Sequence, residues 1–540
     1  MLLGYIKKHN RFISYLFVIL LMNVAFSCGK PDDTPGRKNL FNENVLRYDV
    51  NCPFTSLNPS KVFFGGSTNV FPLLYSFLFI PDENEELQPD LAQNWSYDRK
   101  SFTWSIHIRK NVLFHNGKIL SPEDVIYSLN ISLKSFLNDI ASQVDNISAF
   151  SDHNVHIRLK DDYPNFLVKI WDTPILPRPD GTDIDFFYHP VGSGPFKFKL
   201  RQGNSMVVLE ANKDYYAGCP AVNRIIFLFQ PDREKAWTRL LAGETDIAQE
   251  ISYKNFQMMR QYQERFYFNQ YILRFYTILL YNTNDSLFSD PSVRRALTYA
   301  IDREHIVKYI LKGNGVVANG PMGVGSPYHN PEVKPVPFDP KKAMALLKEA
   351  GWSHDKKTRC LYKDGKPFEF TILVFKESQI GKDVASYIQL CLNDLGIRAR
   401  LQALPFEDVK RRYYRNNQFQ AVLTEFRGAY RNPESLETKW SCIENRNSDA
   451  GCFKHPTVAR LIKKGIVEKE PEKRKKIFYE IDALITSLQP GTFLFQKTAI
   501  DAMSKRFHLP DHFSLTYEGI YRLKYASLDQ DWNTFNHRSH

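Results

Sequence analysis

The sequence predicts an α/β protein with more than one lobe, on three observations. A segment of alternating apolar residues is followed by a helix-like segment within residues 102–129. A strand, a helix and a second strand succeed one another in residues 368–401, an order typical of a partly parallel sheet. Removing an expected leader of 27 residues from the 540 leaves 513, more than one hydrophobic core usually spans.

The N-terminus has the features of an export signal. Lys7 and Lys8 give it a positive start, residues 13–21 are almost wholly apolar, and small residues precede Cys28. The apolar stretch is shorter than the about 20 residues that a membrane span requires. We therefore expect a signal peptide at residues 1–27, cut just before Cys28.

The residues before the expected cut resemble a bacterial lipobox. Ala25-Phe26-Ser27-Cys28 ends in the cysteine that such signals present for lipidation, although Phe26 is bulkier than the usual residue. Ordinary cleavage that leaves Cys28 as a plain thiol is the alternative. Residues 28–38 include a polar stretch rich in Pro, Gly and Asp, which predicts a flexible tether. We expect a lipid-anchored protein of the periplasm or cell envelope.

Composition indicates a globular protein, with 43% hydrophobic and 14% aromatic residues. The formal net charge is +12, but Lys and Arg are spread along the chain rather than clustered in a stripe. We therefore expect no nucleic-acid partner, and the basic surface suits anionic lipid or cell-wall polymer. No apolar stretch after the leader reaches membrane-spanning length, and the short apolar runs Val222 to Gln230 and Tyr271 to Tyr281 predict buried strands.

Six cysteines besides Cys28 would lie in an oxidising compartment. Cys442 and Cys452 are close in sequence, and we expect a disulfide between them that closes a small surface loop. A metal site is the weaker alternative, because no CxxC or HxxxH spacing accompanies them. The pairing of four others cannot be deduced: Cys52, Cys219, Cys360 and Cys391.

The predicted elements follow in order along the chain. Residues 95–112 alternate, with Phe102, Trp104, Ile106 and Ile108 on one face, which predicts a strand with one buried face. Ser121 as N-cap and Pro122 at the first helical position then begin a helix. The remaining predictions are an α/β section at 192–248, a helix at 292–310, a loop at 321–337, helices at 340–350 and 383–395, and strands at 368–375 and 397–401.

No catalytic or metal-binding arrangement is visible in the sequence. Ser193 lacks the GxSxG spacing of a nucleophile elbow, and no HExxH, P-loop or GxGxxG stands in the required context. His153 and His156 would lie on opposite faces of a strand and could not chelate one metal together. We expect a binding protein and not an enzyme, with no metal and no cofactor.

Collinear blocks over nearly the whole mature chain resemble the extracellular solute-binding proteins of the oligopeptide, dipeptide and nickel importers (family 5). These blocks are Asp90 to Trp95, Phe114 to Val125, Pro190 to Phe196, Leu209 to Asn212, Gly243 to Ala248, Val293 to Arg303, Phe338 to Trp352 and Leu395 to Ile397. The resemblance implies a periplasmic-binding-protein-like fold with two main α/β lobes and an additional small lobe. The implied bounds are 39–61, 189–279 and 500–540 for lobe I, 62–188 for lobe II, and 280–499 for lobe III.

The resemblance also implies a mechanism. Two strands between the lobes act as a hinge, lobes I and III enclose the ligand, and the closed form docks on an ABC transporter permease. Gly192 and Gly194 would lie at one crossing between lobes, where backbone freedom matters. The implied partners are a peptide or another small molecule, the permease, and the membrane through the lipid anchor, and we expect a monomer.

One departure from the family bears on the ligand. In its peptide binders a segment Trp-x-x-Asp-Tyr-x-x-Pro lines the pocket, and its aspartate pairs with the α-amino group of the peptide. The resembling segment runs from Phe426 to Pro433 and has Ala429 at the aspartate position. Either Glu425 or another acid substitutes, or the ligand is neutral or anionic. The implied ligand-binding residues are Phe426, Arg427, Gly428, Ala429 and Tyr430.

Arg427 would recognise a negative group, and Phe426 and Tyr430 would form apolar walls. The function we expect is capture of peptides or peptide-like solutes for an ABC importer. The alternatives are the same fold binding a metal chelate, haem, a saccharide or a cell-wall fragment, and an exported hydrolase or a sensor.

Overall fold

A computed structural model describes residues 44–61, 66–82, 86–135, 137–179, 189–355, 357–429, 433–436, 440, 453, 455–508 and 520–528. The chain divides into two compact units, Met1–Asn44 and Val45–His540. Every helix and strand given below belongs to the second unit. The predicted signal peptide, Cys28, Tyr430 and the predicted disulfide partners Cys442 and Cys452 lie outside the described residues.

The strands of the described chain are β1 (Val45–Val50), β2 (Phe79–Pro81), β3 (Leu87–Pro89), β4 (Ala92–Asp98), β5 (Thr103–Ile108), β6 (Val144–Ser151), β7 (Asn154–Leu159), β8 (Phe196–Gln202), β9 (Met206–Ala211), β10 (Arg224–Phe229), β11 (Ile247–Ala248), β12 (Phe266–Tyr281), β13 (Gly315–Val317), β14 (Ser353–His354), β15 (Leu361–Lys363), β16 (Lys366–Pro367), β17 (Glu369–Phe375), β18 (Arg398–Leu404), β19 (Ala421–Arg427), β20 (Gly491–Ser504), β21 (Phe507–His508) and β22 (Ser527–Leu528).

The α-helices are Phe71–Leu74, Pro122–Ser135, Asn138–Ala141, Leu167–Ile170, Arg233–Leu241, Tyr253–Met259, Pro291–Ala300, Arg303–His305, Pro340–Glu349, Gln379–Asp394, Phe406–Lys410, Pro456–Val467 and Pro471–Leu488. Short 3₁₀ segments are Gly66–Asn69, Arg260–Tyr262, Pro433–Leu436 and Tyr521–Tyr525. Two π-helical segments are Ile306–Ile310 and Arg411–Arg415. Within the described ranges, no helix combines the length and the apolar character that a membrane crossing needs.

An 11-stranded mixed sheet organises the second unit. Its order is β18-β17-β19-β12-β20-β11-β1-β10-β9-β8, and β13 pairs with β20 outside this path. β17 and β18 are parallel and are joined by helix Gln379–Asp394, which confirms the strand–helix–strand prediction for residues 368–401. The sheet is therefore partly parallel, as predicted.

β12 and β20 are the long strands that both halves of this sheet share. The C-terminal half of β12 pairs with β19, and its N-terminal half pairs with the C-terminal half of β20. β20 in turn pairs with β11, which continues the sheet to β1 and β10. Separate apolar clusters pack against the two halves, one around Phe370 and Ile388 and another around Phe227 and Leu209. The halves are thus joined through continuous paired strands.

A second sheet of four strands, β4-β5-β7-β6, lies within residues 92–159. The segment 95–112 that we predicted as one strand is a hairpin, because Phe102 takes a left-handed conformation with φ of 51° and turns the chain. Trp104, Ile106 and Ile108 are buried on one face, so the alternation prediction is confirmed for β5.

The loops next to this second sheet contact the end of helix Pro456–Val467. The Asn165 side chain donates to the Ile466 carbonyl at 3.0 Å, and the Arg99 guanidinium donates to the Val467 carbonyl at 3.2 Å. The last carbonyls of a helix have no hydrogen-bond donor within the helix. The Asn165 and Arg99 side chains, from a separate part of the chain, donate to two of these carbonyls.

The helix predicted for residues 292–310 is broken. Helix Pro291–Ala300 ends because Ile301 is extended, with φ of −104° and ψ of 115°. The Asp302 carboxylate then accepts a hydrogen bond from the His305 backbone at 2.9 Å and starts a new turn. An aspartate that caps the following turn competes with continuation of the preceding helix.

Gly192 and Gly194 pack against the backbone of Leu73 and Leu74. A Cβ atom on Gly192 would lie 1.9 Å from the Leu74 carbonyl oxygen, and one on Gly194 would lie 2.6 Å from the Leu73 carbonyl oxygen. Neither glycine is among those with positive φ. Close approach of two backbones, and not the predicted conformational freedom, therefore requires glycine at both positions.

Candidate functional site

The candidate site lies where β12, β19 and β20 meet, at a bulge in β12. Ile272 pairs with Thr498 and Tyr276 pairs with Gln496. Three β12 residues therefore stand opposite the single residue Lys497 of β20. Bulges interrupt the ladder and redirect side chains, and they are over-represented next to functional sites.

Two groups fasten the bulge to its surroundings. The Gln496 side chain is 1% exposed, donates to the Leu273 carbonyl at 3.0 Å and accepts from the Val324 backbone at 2.5 Å. The Gly428 backbone donates to the Arg274 carbonyl at 2.7 Å. The bulge, the end of β19 and the loop after Ala318 are thus held in one arrangement.

The predicted binding segment fits closely into this junction. A Cβ atom on Gly428 would lie 3.3 Å from the carbonyl oxygens of both Arg274 and Met322, so the space is tight there. Ala429 is fully buried, and its backbone donates to the Pro321 carbonyl at 3.2 Å and accepts from the Ser326 hydroxyl at 3.3 Å. Gly428 and Ala429 are therefore held in the junction by backbone hydrogen bonds.

Two exposed side chains lie next to each other at the junction. Phe275 is 44% exposed although β12 lies between β19 and β20, and Arg427, its partner in the strand register, is also exposed. Arg427 makes no ion pair within the part of the chain that the structure describes. An exposed aromatic ring and an uncompensated guanidinium side by side suit a ligand with apolar and negative groups.

Glu425 already has a partner. Its carboxylate lies 2.7 Å from the Lys497 ammonium group, and both side chains are partly exposed. Such a solvent-accessible pair contributes about 1 kcal/mol or less. Glu425 and Lys497 therefore compensate each other.

Phe426 lies in the protein interior in this structure. It is 4% exposed and makes edge-to-face contacts with Tyr276 and Trp440, at 6.1 Å between ring centroids in each case. Of the predicted binding residues, Arg427 is thus the described one whose side chain reaches solvent. Tyr430 lies outside the described residues, so the ligand-binding role of the whole segment stays a prediction.

A second polar group lies further along the same strands. Asp501 of β20 is 1% exposed and accepts a hydrogen bond from the Glu250 backbone at 2.9 Å. Burial raises its pKa to about 7, while the Glu250 amide and the Tyr271 hydroxyl, as hydrogen-bond donors, act in the opposite direction. Burial also raises the pKa of the neighbouring Tyr48.

Sequence reasoning missed Phe275, Gln496, Lys497 and Asp501. The run from Tyr271 to Tyr281 indicated a strand, but nothing local shows which residues it pairs with or where it bulges. The sequence feature that could have pointed to Gln496 and Asp501 is a polar residue in an apolar strand such as β20, because a buried polar side chain needs a hydrogen-bond partner.

Possible metal ligands and the cysteines were the remaining candidate groups in the sequence. Across the described ranges, no three His, Cys, Asp or Glu side chains are grouped so that they could hold a metal ion. Four cysteines are free thiols in the structure: Cys52, Cys219, Cys360 and Cys391.

The fold, in which two halves of one mixed sheet are joined through shared long strands, is that of the periplasmic binding proteins. Residues 86–445 match the bacterial extracellular solute-binding proteins, family 5, and the chain belongs to this family. The predicted fold class and the family resemblance are both confirmed.

Relatives within the family carry different names. The chain is 28% identical over 455 residues to the oligopeptide-binding protein AppA of Bacillus subtilis (strain 168), covering 79% of this chain and 82% of the relative. It is also 28% identical over 330 residues to the nickel-binding periplasmic protein of Escherichia coli (strain K12), covering 57% and 61%.

Solved structures agree on the fold. AppA of Bacillus subtilis in complex with a nonapeptide superposes with a TM-score of 0.74 at 25% identity, covering 90% of this chain and 99% of that one. NikA from Brucella suis in complex with Fe(III)-EDTA gives a TM-score of 0.77 at 20% identity, covering 90% and 100%, which supports the fold alone.

Proposed function

We propose that this protein is the substrate-binding lipoprotein of an ABC importer, which captures peptides or peptide-like solutes and delivers them to a membrane permease. The observation that carries the proposal is the exposed pair Phe275 and Arg427 in the middle of an 11-stranded sheet. Bulges redirect side chains and are over-represented next to functional sites, so an exposed aromatic ring and guanidinium at this bulge favour a ligand there.

Backbone groups support a peptide-like ligand. The bulge frees β12 from its regular ladder, and part of its hydrogen-bonding capacity is met by Gln496 and Gly428 instead. Peptides bind well where main-chain groups and side-chain pockets lie together. The relative named as an oligopeptide-binding protein, and its structure with a nonapeptide, agree with this assignment.

Ligand capture would proceed by hinge closure between lobes I and III. β12 and β20 cross between the two halves of the sheet and are the expected hinge strands, and their pairing is interrupted at Ile272 and Tyr276. No covalent step is involved. The closed form would then dock on the permease as a monomer.

Native mass spectrometry of the mature protein, purified without refolding, tests the ligand class. We expect added masses that correspond to short peptides. A single non-peptide mass, such as a metal chelate, haem, a saccharide or a cell-wall fragment, would contradict the peptide assignment and keep the binding function. Turnover of any retained solute would contradict the non-enzymatic role.

Lipid anchoring has its own test. We expect the exported protein to sediment with membranes and the Cys28→Ala variant to be released in soluble form. Equal sedimentation of both proteins would contradict the anchor. The signal peptide itself is tested by the mass of the mature N-terminus.

A further inference from the structure

One buried aspartate differs from the others in its partners. Among the described residues, five of the six buried aspartates have a cationic side chain or a histidine nearby: Asp49 with Arg239, Asp90 with Lys524, Asp124 with Lys118, Asp246 with Arg506, and Asp482 with His329. Asp501 is the sixth, and no cation of the described chain lies beside it. Its charged neighbour is another acid, Glu250.

The polar atoms around Asp501 are incompletely paired. Within the described residues, Asp501 Oδ2, the Tyr48 hydroxyl and the Asn269 side-chain nitrogen are buried and have no partner at normal hydrogen-bond distance. Asn269 of β12 stands opposite Asp501 of β20 in the strand register. The hydroxyl of Tyr271, which is partly exposed, is close enough to act on Asp501 as a donor.

A buried carboxylate with no cation is costly in the ionised form, which is why the pKa of Asp501 rises. A positive charge that entered this position would restore the carboxylate and satisfy its free oxygen. An ammonium group donates three hydrogen bonds, and the acceptors near Asp501 are its own Oδ2 and the two tyrosine hydroxyls.

We propose that Asp501 receives the positively charged amino group of the ligand, with the Tyr48 and Tyr271 hydroxyls as further acceptors. The unpaired Asn269 amide nitrogen is a donor and suits a carbonyl oxygen next to that amino group. An ammonium group beside an amide carbonyl is the chemistry of a peptide N-terminus. This inference rests on the proposed peptide-binding function and names the part of the site that reads the amine.

The junction itself supports this assignment, because it offers no other free acid among its described residues. Ala429 brings no charge, and Glu425 is paired with Lys497 at 2.7 Å. Asp501 and Lys497, which stands opposite the bulge, are four residues apart on β20, which corresponds to about 13 Å along a strand. A short extended peptide would span that distance, with its amino group at Asp501 and a negative group at Arg427.

The test compares two defined tetrapeptide libraries, one with free N-termini and one N-acetylated, added to the refolded, ligand-free protein and scored by native mass spectrometry. We expect the wild type to retain free-amine peptides at least tenfold better than acetylated ones. Asp501→Asn keeps the shape and the acceptor for the Glu250 amide, and should lose this preference. Asp98→Asn, at an exposed aspartate of the separate four-stranded sheet, is the matched control and should retain it.

Tyr48→Phe provides a second variant that removes one acceptor and no charge, and it should reduce the preference severalfold. Equal retention of both libraries by the wild type would overturn the role of Asp501 and leave peptide binding intact. An unchanged preference in Asp501→Asn would do the same. Retention of neither library would overturn the peptide-binding function and the Asp501 assignment together.

Discussion

The ligand-free protein should lose stability with rising pH because of Asp501. Burial raises the pKa of this carboxyl from 3.8 to about 7 in the folded chain. Between these values the folded protein holds a proton that the unfolded chain has released. The free energy of unfolding therefore falls as pH rises through this window and levels off above about pH 7.

The magnitude follows from the size of the shift. About three pKa units at 1.36 kcal/mol per unit correspond to about 4 kcal/mol of stability lost between about pH 4 and pH 8. Asp501→Asn has no proton to lose and keeps the acceptor for the Glu250 amide. Relative to the wild type, the variant should gain about 4 kcal/mol over the same pH range.

Urea unfolding of both proteins at several pH values, after refolding to remove ligand, measures this difference. Subtracting the wild-type profile cancels the titration of all other groups. Asp98→Asn is the control, since Asp98 is exposed and hydrogen bonds lower its pKa. A stability difference between Asp501→Asn and wild type that does not change with pH would refute the reasoning.

Three further predictions concern stability and binding. Gln496→Leu leaves the Leu273 carbonyl and the Val324 amide without their hydrogen-bond partner. The variant should lose about 1–3 kcal/mol of stability in thermal unfolding and retain less ligand. Unchanged ligand retention would argue against the junction as the binding site. Arg506→Leu removes the ion-pair partner of the buried Asp246 carboxylate and should cost about 3–5 kcal/mol. Arg158→Ala at an exposed pair should cost about 1 kcal/mol or less, and equal losses in urea unfolding would contradict this. Gly192→Ala should sharply reduce the soluble yield, because its Cβ would overlap a carbonyl oxygen; a normal yield would refute the close packing.

Local patterns predicted much of the fold. Alternation identified β5, and the strand–helix–strand order identified β17, helix Gln379–Asp394 and β18, since each depends on neighbours in sequence. The break at Asp302 also had a local signal, a capping residue inside a helical stretch, which the apolar spacing obscured.

The site was less accessible from sequence because its residues meet through distant pairing. Phe275, Gln496 and Asp501 acquire their roles from a bulge and a register that join strands more than 200 residues apart. The segment after Glu425 was found through family resemblance, which implied that Phe426 forms a wall of the pocket, whereas the ring is buried in this structure.

The position of β20 in the sheet has a consequence for biogenesis. This strand comprises residues 491–504, yet it lies between β12 and β11 near the middle of the sheet order. Until it is available, β11 and β12 present unpaired edges that invite aggregation. In the proposed export, the chain would therefore have to emerge at least through residue 504 before its main sheet could close. Folding would be slow and would depend on protection of those edges.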